Sequence, residues 1–335
     1  MQFIKRIFWN SDQQRLRALW RLVLQPIILF PVLIVLETVV GVFAVGQLME
    51  QADIAPDQLT GAQATAFILG NPIILMTVYL ALLPAMTFSI WLAGRILDRR
   101  PFADFGFHID QDWWIDLGFG LGLGAVLMLV VFLIELAAGW VRVTGTFVTR
   151  TPETSFLPAV LVPLLTFLAV GFYEELFSRG YQLTNLAEGL RGLGPRAAVL
   201  IATLLSSAVF GILHLINPNA GVFSTFNIVV AGFMLAMGYI LTGELAIPIG
   251  LHITWNFFQG IVFGFPVSGT TFGSATFIAI EQGGPDFWTG GAFGPEGGVV
   301  GLGAILLGIG LTVLWVRRRY GQAGLHTPLV DPPTT

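Results

Sequence analysis

Long apolar segments are the feature that most constrains what this chain can fold into. Eight segments of roughly 18 residues or more carry few charged side chains, and a helix of that length can cross a bilayer because it satisfies its own backbone hydrogen bonds. The sequence therefore predicts an all-α polytopic integral membrane protein, a bundle of eight transmembrane helices. The segments lie at about 22–48, 65–94, 117–140, 157–188, 195–216, 224–242, 246–264 and 298–316.

The composition agrees with a membrane protein and excludes several other classes. Only 11% of the residues are charged and 55% are hydrophobic, whereas a soluble domain carries about 25% charged residues. The net charge of -4 gives no reason to expect a nucleic-acid partner. The chain has no cysteine, which excludes disulfides, thiolate metal sites and a cysteine nucleophile. Catalysis would therefore depend on Glu, Asp, His, Ser, Thr or Tyr.

The basic residues predict how the bundle is oriented. Arginine-rich and lysine-rich loops stay on the cytoplasmic side of a membrane, and in an eight-helix arrangement almost all the loop cations fall on the side of the termini. We therefore expect a multi-pass protein of the cell membrane with both termini cytoplasmic. The other side has only Arg142 and Arg150. The cations on the side of the termini are Lys5, Arg6, Arg15, Arg17, Arg21, Arg95, Arg99, Arg100, Arg191, Arg196, Arg317, Arg318 and Arg319.

Ionisable side chains interrupt the fourth apolar segment. Glu174, Glu175 and Arg179 lie near its middle, where such groups are costly and rarely persist without a function. Glu175 and Arg179 are four residues apart, so they share a helix face and can form an ion pair. Glu174 points about 100 degrees away from them and is free for another role. A structural clasp is the alternative for the paired residues.

Two later apolar segments each contribute a histidine. His214 follows Phe210 by four residues, and Asn256 follows His252 by four, so each pair lies on one helix face. We infer that the two histidines, the asparagine and the two glutamates form one functional cluster. With rigid vertical helices, however, His214 would lie toward the extracytoplasmic end, away from Glu174. The other two histidines lie in polar segments, where we expect solvated surface positions: His108 and His326.

The chemistry of this cluster suits two hydrolytic schemes. In the first, Glu174, His214 and His252 bind a zinc ion that activates a water. In the second, Glu174 is the general base for a water held by His214, while His252 and Asn256 donate hydrogen bonds to the oxyanion. A proton-coupled transporter using the same side chains and a catalytically idle scaffold are the other possibilities, although no internal repeat typical of transporters is visible.

The three motifs together resemble the CPBP family of CAAX-processing and bacteriocin-processing intramembrane proteases, also called Abi, which includes the Rce1-type endopeptidases. The similarity covers roughly residues 157–260 and implies endoproteolysis of peptide bonds at or in the membrane. By motif, Glu174 would be the base or metal ligand and Glu175 with Arg179 would support it. His214, next to Phe210, would help to bind the water or metal, and His252 with Asn256 would complete the site. Family members are called metalloproteases; between the two schemes the glutamate one is favoured here, and zinc remains open.

The resemblance also suggests partners and a division of the chain. Membrane lipid and a membrane-associated peptide, either a prenylated CAAX-type or a bacteriocin-like substrate, are the expected partners. Residues 1–156 would form an N-terminal transmembrane region and 157–264 the catalytic core. Residues 265–335 would hold a Gly-rich loop, the last helix and the tail. We expect the loop to be a partly ordered cap and the tail after Arg319 to be disordered.

Overall fold

The computed structural model is a helical bundle, and it describes residues 7–11, 13–52, 55, 59–149, 155–272 and 275–333. Lys5, Arg6 and Arg150, which contributed to the predicted orientation, lie outside these ranges. The helices are α1 Ala18–Ala52, α2 Gly61–Gly70, α3 Pro72–Ala93, α4 Gln111–Ala137, α5 Phe156–Glu175, α6 Thr184–Gly189, α7 Pro195–Leu213, α8 Val222–Thr242, α9 Ala246–Phe257, α10 Asp286–Thr289 and α11 Val299–Tyr320.

The polytopic helical architecture is confirmed, but the predicted number of spans is not. Within the described residues, seven helices are long and apolar enough to cross a membrane. The seventh predicted segment, 246–264, is the exception. It forms the 12-residue helix α9 followed by a five-residue π-helical turn, Phe258–Val262, and this unbroken run lies at the lower end of the roughly 17–25 residues that a span needs. Helix α9 is also a core helix, with every residue from Ala246 to Ile253 buried.

The second predicted segment divides into two helices at Asn71. The Asn71 side chain accepts hydrogen bonds from the backbone N–H groups of Ile73 and Ile74, at 3.1 and 3.2 Å, and Pro72 occupies the first turn of α3. An asparagine N-cap followed by proline begins a new helix, because proline has no N–H to offer the preceding one. The prediction of a single helix over 65–94 is therefore wrong at this point.

Small residues bring α4 and α9 into close contact. A methyl group added at Gly250 would lie 2.5 Å from the carbonyl oxygen of Leu117, and one added at Gly124 would lie 2.5 Å from that of Leu251. Glycine at these positions allows the two backbones to approach directly, as in packed membrane helices. This contact fixes α9, the helix that carries His252 and Asn256, in the centre of the bundle.

Two β-hairpins add to the helices. Strands β1 (Trp9–Asn10) and β2 (Arg15–Leu16) pair before α1. Strands β3 (Val141–Thr149) and β4 (Ala275–Gln282) form an antiparallel pair at the end of the bundle opposite the chain termini. The cap, which we define as residues 263–272 and 275–298, contains β4, α10 and the 3₁₀ turns Gly291–Phe293 and Pro295–Gly297. The Gly-rich loop is thus an ordered cap in the part that is described.

The C-terminal tail is packed against the bundle, so the expectation of a disordered tail is wrong for residues 321–333. Leu329 and Val330 are buried in a 3₁₀ turn, and the backbone N–H of His326 donates to the carbonyl oxygen of Ile240, at 2.7 Å. His326 is accordingly half-buried rather than solvated. Arg100 donates to the carbonyl oxygen of Asp331, at 2.8 Å. The tail is ordered because these contacts hold it and because its apolar residues are buried against the bundle.

Candidate active site

A change of helix type positions the first motif. Helix α5 ends at Glu175 and continues without interruption through the π-helical stretch Leu176–Leu183 into α6. The extra residue per turn of a π-helix shifts the side chains that follow, and such turns are frequent at functional sites. Glu175 and Arg179 still face each other across it, with 2.8 Å between Arg179 NH1 and Glu175 Oε1. The predicted ion pair is observed, and so is the continuous helix that the segment 157–188 predicted.

Glu175 and Arg179 form a fully buried ion pair with three further partners. The exposed fractions of their side chains are 0% and 1%. The second guanidinium nitrogen of Arg179 donates to the carbonyl oxygen of Gly232 in α8, at 2.8 Å, and the guanidinium lies 4.5 Å from the centre of the Phe210 ring. Glu175 also bonds to His252, as described next. Each charge is therefore compensated, which is what makes its burial tolerable.

His252 lies between the two carboxylates. Its Nδ1 is 2.7 Å from Glu175 Oε1, and its Nε2 is 4.0 Å from Glu174 Oε2. A carboxylate only accepts hydrogen bonds, so Nδ1 carries the proton and Nε2 is the nitrogen left for a molecule in the cavity. The gap to Glu174 is too long for a direct hydrogen bond and is suited to one bridging water.

His214 is fixed by its own helix turn. It caps α7, and its Nδ1 lies 2.7 Å from the carbonyl oxygen of Phe210. A carbonyl accepts, so here too Nδ1 carries the proton and Nε2 remains available. The Phe210 ring packs against both histidines, with its centre 4.6 Å from the His214 ring and 6.2 Å from the His252 ring.

All three motifs meet at one cavity of about 370 Å³. Glu174, His214, His252 and Asn256 line it, so the expected separation of His214 from Glu174 does not occur. The α5–α6 unit runs for 34 residues, which is longer than a vertical span and leaves Glu174 level with the end of α7. The rest of the lining is largely apolar and aromatic, and includes Tyr79, Met86, Phe167, Val170, Tyr173, Phe177, Val267 and Phe272.

The orientation of the two histidines resembles that of zinc ligands. Imidazoles whose Nδ1 is hydrogen-bonded and whose Nε2 is available are typical of zinc ligands. Among the residues that the structure describes, however, no three His, Asp or Glu side chains are grouped closely enough to hold one metal ion. The zinc scheme therefore stays a prediction.

The structure adds residues to the cavity that the sequence did not indicate. Tyr79 comes from α3, while Ser268, Thr270 and Phe272 come from the cap. Glu296, also from the cap, lines a smaller cavity of about 40 Å³ together with His214, His252 and Asn256. Tyr173 could have been found, since it directly precedes Glu174. The others lie in segments with no periodicity that relates them to the motifs, so only the tertiary structure shows them.

Comparison with known proteins shows similarity to one family in the region of the three motifs. Residues 156–258 match the profile of a family described as type II CAAX prenyl endopeptidase Rce1-like. A protein of Bacillus subtilis (strain 168) described as "Uncharacterized protein YyaK" is 29% identical over 189 residues. The alignment covers 54% of this chain and 57% of that relative. No solved structure matches. The matched region contains all seven residues of the three motifs.

Proposed function

We propose, on the basis that residues 156–258 match the Rce1-like family, that this chain is an intramembrane endopeptidase with Glu174 as general base. The observation that carries the proposal is the 4.0 Å gap between Glu174 Oε2 and His252 Nε2, at a cavity inside the helix bundle. A water in that gap can donate one hydrogen to each atom. Such a water is oriented for attack on a carbonyl carbon placed in the cavity.

The other motif residues that line the cavity each have a role in the reaction. As the water attacks the peptide carbonyl, its proton moves to Glu174, and the Asn256 amide donates a hydrogen bond to the oxyanion. When the C–N bond breaks, Glu174 returns the proton to the departing amine, leaving a carboxylic acid and an amine as products. In this division His252 orients the water, whereas the sequence-based scheme gave that task to His214. His214 lines the same cavity and faces the substrate.

Glu175 and Arg179 act through His252. Glu175 accepts the Nδ1 proton of His252 and so fixes its tautomer, while Arg179 compensates the charge of Glu175. This resembles the way in which a buried carboxylate orients a catalytic imidazole in hydrolases. We assign Glu175 and Arg179 as positioning residues, and Glu174, His252, Asn256 and His214 as the residues that face the substrate.

The substrate class follows from the lining of the cavity. Aromatic and aliphatic side chains surround the polar residues, and the cavity lies within helices that span the bilayer. Such a lining favours a peptide that carries a large apolar group and reaches the site from the membrane. A prenylated CAAX-type peptide fits this description, as does a hydrophobic bacteriocin-like precursor.

The test is cleavage of a fluorogenic peptide library, with prenylated and unmodified members, by the purified full-length protein in lipid nanodiscs. Glu174→Gln and His252→Ala should each lower kcat/KM by about 10²–10⁴-fold, the usual contribution of a positioned acid–base group. His108→Ala is the matched control, because His108 is largely exposed and lies away from the cavity. Equal cleavage by wild type and Glu174→Gln would refute the proposal. Loss of activity with a chelator, restored by zinc, would select the metal scheme.

A further inference from the structure

A buried carboxyl group outside the family-matched region lies beside the candidate active site. Glu296 belongs to the cap and is 3% exposed. Its Oε1 accepts a hydrogen bond from the backbone N–H of Ser268, at 2.6 Å, and lies 3.3 Å from the Ser268 hydroxyl. Its Oε2 contacts the side-chain amide of Gln259. Three groups from two different parts of the chain thus converge on one carboxyl.

These partners connect the cap to the helix of the third motif. Gln259 follows Asn256 by three residues and so continues the face that carries His252 and Asn256. Its amide also donates to the carbonyl oxygen of Pro266, at 2.6 Å. Glu296 and Gln259 therefore hold both Pro266 and Ser268 against this helix.

The segment held in this way forms one wall of the larger cavity. Val267, Ser268, Thr270 and Phe272 line the space that Glu174 faces, and we call residues 266–272 the roof segment. The Phe272 ring packs against Phe167 and Tyr79, with centre-to-centre distances of 5.0 and 5.9 Å. A displacement of the roof segment would therefore change the shape of the cavity next to the reacting carbonyl.

The cost of burying Glu296 indicates that the contact has a function. A buried carboxyl without a cation is expensive, and no Lys, Arg or His forms an ion pair with Glu296 within the described part of the chain. Burial raises the pKa of Glu296 to about 7, so part of the population is neutral at physiological pH. The other groups that face it are Gln259 and Ser268 directly and His214 and His252 across the small cavity. If this side chain served only to fill space, a glutamine or an apolar residue would do so at a lower desolvation cost.

We propose that Glu296 is a positioning residue that fastens the roof segment to the helix carrying His252 and Asn256 and thereby sets the substrate-binding wall of the cavity. The proposal rests on the peptidase function argued above. The acceptor oxygen facing the Ser268 N–H is the essential feature, and it is present in both the neutral and the ionised acid. Glu296 does not touch the reacting atoms, so its effect falls on substrate binding.

The test compares Glu296→Ala and Glu296→Gln in the full-length protein in nanodiscs. Glu281→Ala is the matched control, because Glu281 lies in the same cap but is mostly exposed. Hydrogen–deuterium exchange of the roof segment should rise about tenfold or more in Glu296→Ala, as expected for the loss of a buried hydrogen-bond acceptor. Glu296→Gln keeps a carbonyl oxygen for the Ser268 N–H and should restore most of the protection, and Glu281→Ala should match wild type.

Kinetics on a peptide that wild type cleaves provides the second readout. Glu296→Ala should raise KM by about fivefold or more with kcat changed by less than about twofold, the pattern of lost binding rather than lost chemistry. Unchanged exchange in Glu296→Ala, failure of glutamine to restore protection, or faster exchange without a rise in KM would each overturn the proposal. If wild type cleaves no peptide, the peptidase function fails, while the exchange experiment still decides whether Glu296 fastens the roof segment.

Discussion

Replacing Arg179 by methionine tests whether the buried ion pair holds the site together. Methionine keeps much of the volume but removes the hydrogen bonds to Glu175 Oε1 and to the Gly232 carbonyl oxygen, both 2.8 Å long. Glu175 would then be a carboxylate with 0% exposure and only His252 as partner. Removing one member of a fully buried pair costs about 3–5 kcal/mol, because the other charge is left uncompensated.

The double variant Arg179→Met/Glu175→Gln distinguishes this cause from simple loss of packing. Glutamine still offers an oxygen to His252 Nδ1 but carries no charge, so the double variant should be more stable than Arg179→Met alone. The expected coupling is at the upper end of the roughly 0.5–3 kcal/mol seen for residues in contact. Arg142→Met is the control, since Arg142 and Glu281 form an exposed pair whose loss should have no measurable effect.

Unfolding of the protein in mixed micelles, followed by tryptophan fluorescence, measures these stabilities. At about 2 °C per kcal/mol for a large domain, the midpoint of Arg179→Met should fall by roughly 6 °C or more. If the two single changes add to the double one within about 0.5 kcal/mol, the charge of Glu175 is not compensated by Arg179 and the reasoning is refuted.

Two further predictions concern the helix packing and the cap. Gly124→Leu should destabilise the bundle by about 1–3 kcal/mol or more, because the new side chain would clash with the backbone of α9. Gly122→Leu is the control and should be tolerated, because nothing lies within 4 Å of a Cβ atom at that position. Equal unfolding midpoints for the two variants would contradict the contact between α4 and α9. Burial raises the pKa of Glu296 to about 7, so its stabilising contribution is present below the unfolded-state pKa of about 4.3 and is lost as pH rises through 7. Between pH 5 and pH 8 the wild-type midpoint should therefore fall more than that of Glu296→Gln, and parallel curves would contradict this assignment.

The sequence predicted the helices and the motif pairs because both depend on local spacing. Hydropathy located the apolar segments, and the four-residue spacing of Glu175 and Arg179 predicted the observed ion pair. The break at Asn71 was missed, since hydropathy is equally high on both sides of it and only the hydrogen bonds of the Asn71 side chain show that a new helix begins there. The span at 246–264 is not confirmed, because hydropathy predicts an apolar helix there without showing whether that helix crosses the membrane or is only buried in the core.

The parts that could not be predicted depend on contacts between distant segments. Ser268 and Glu296 lie in a Gly-rich stretch without periodicity, so nothing local relates them to His252. In the sequence, Leu329 and Val330 are isolated apolar residues in a polar tail. Only the tertiary structure shows that they are buried. The predicted roles of Glu174, His214, His252 and Asn256 stay predictions, although the structure brings all four to one cavity.

The arrangement of Glu175 explains why stability and activity should be linked in this protein. One carboxylate oxygen, Oε1, bonds both to Arg179 and to His252, each within 2.8 Å. A change that removes the arginine removes one of the two hydrogen bonds that fix this oxygen. The Glu175 carboxylate would then no longer hold the His252 ring in one orientation, and Nε2 would no longer be aimed at the attacking water. Loss of Arg179 should therefore lower kcat even in the fraction of molecules that remains folded.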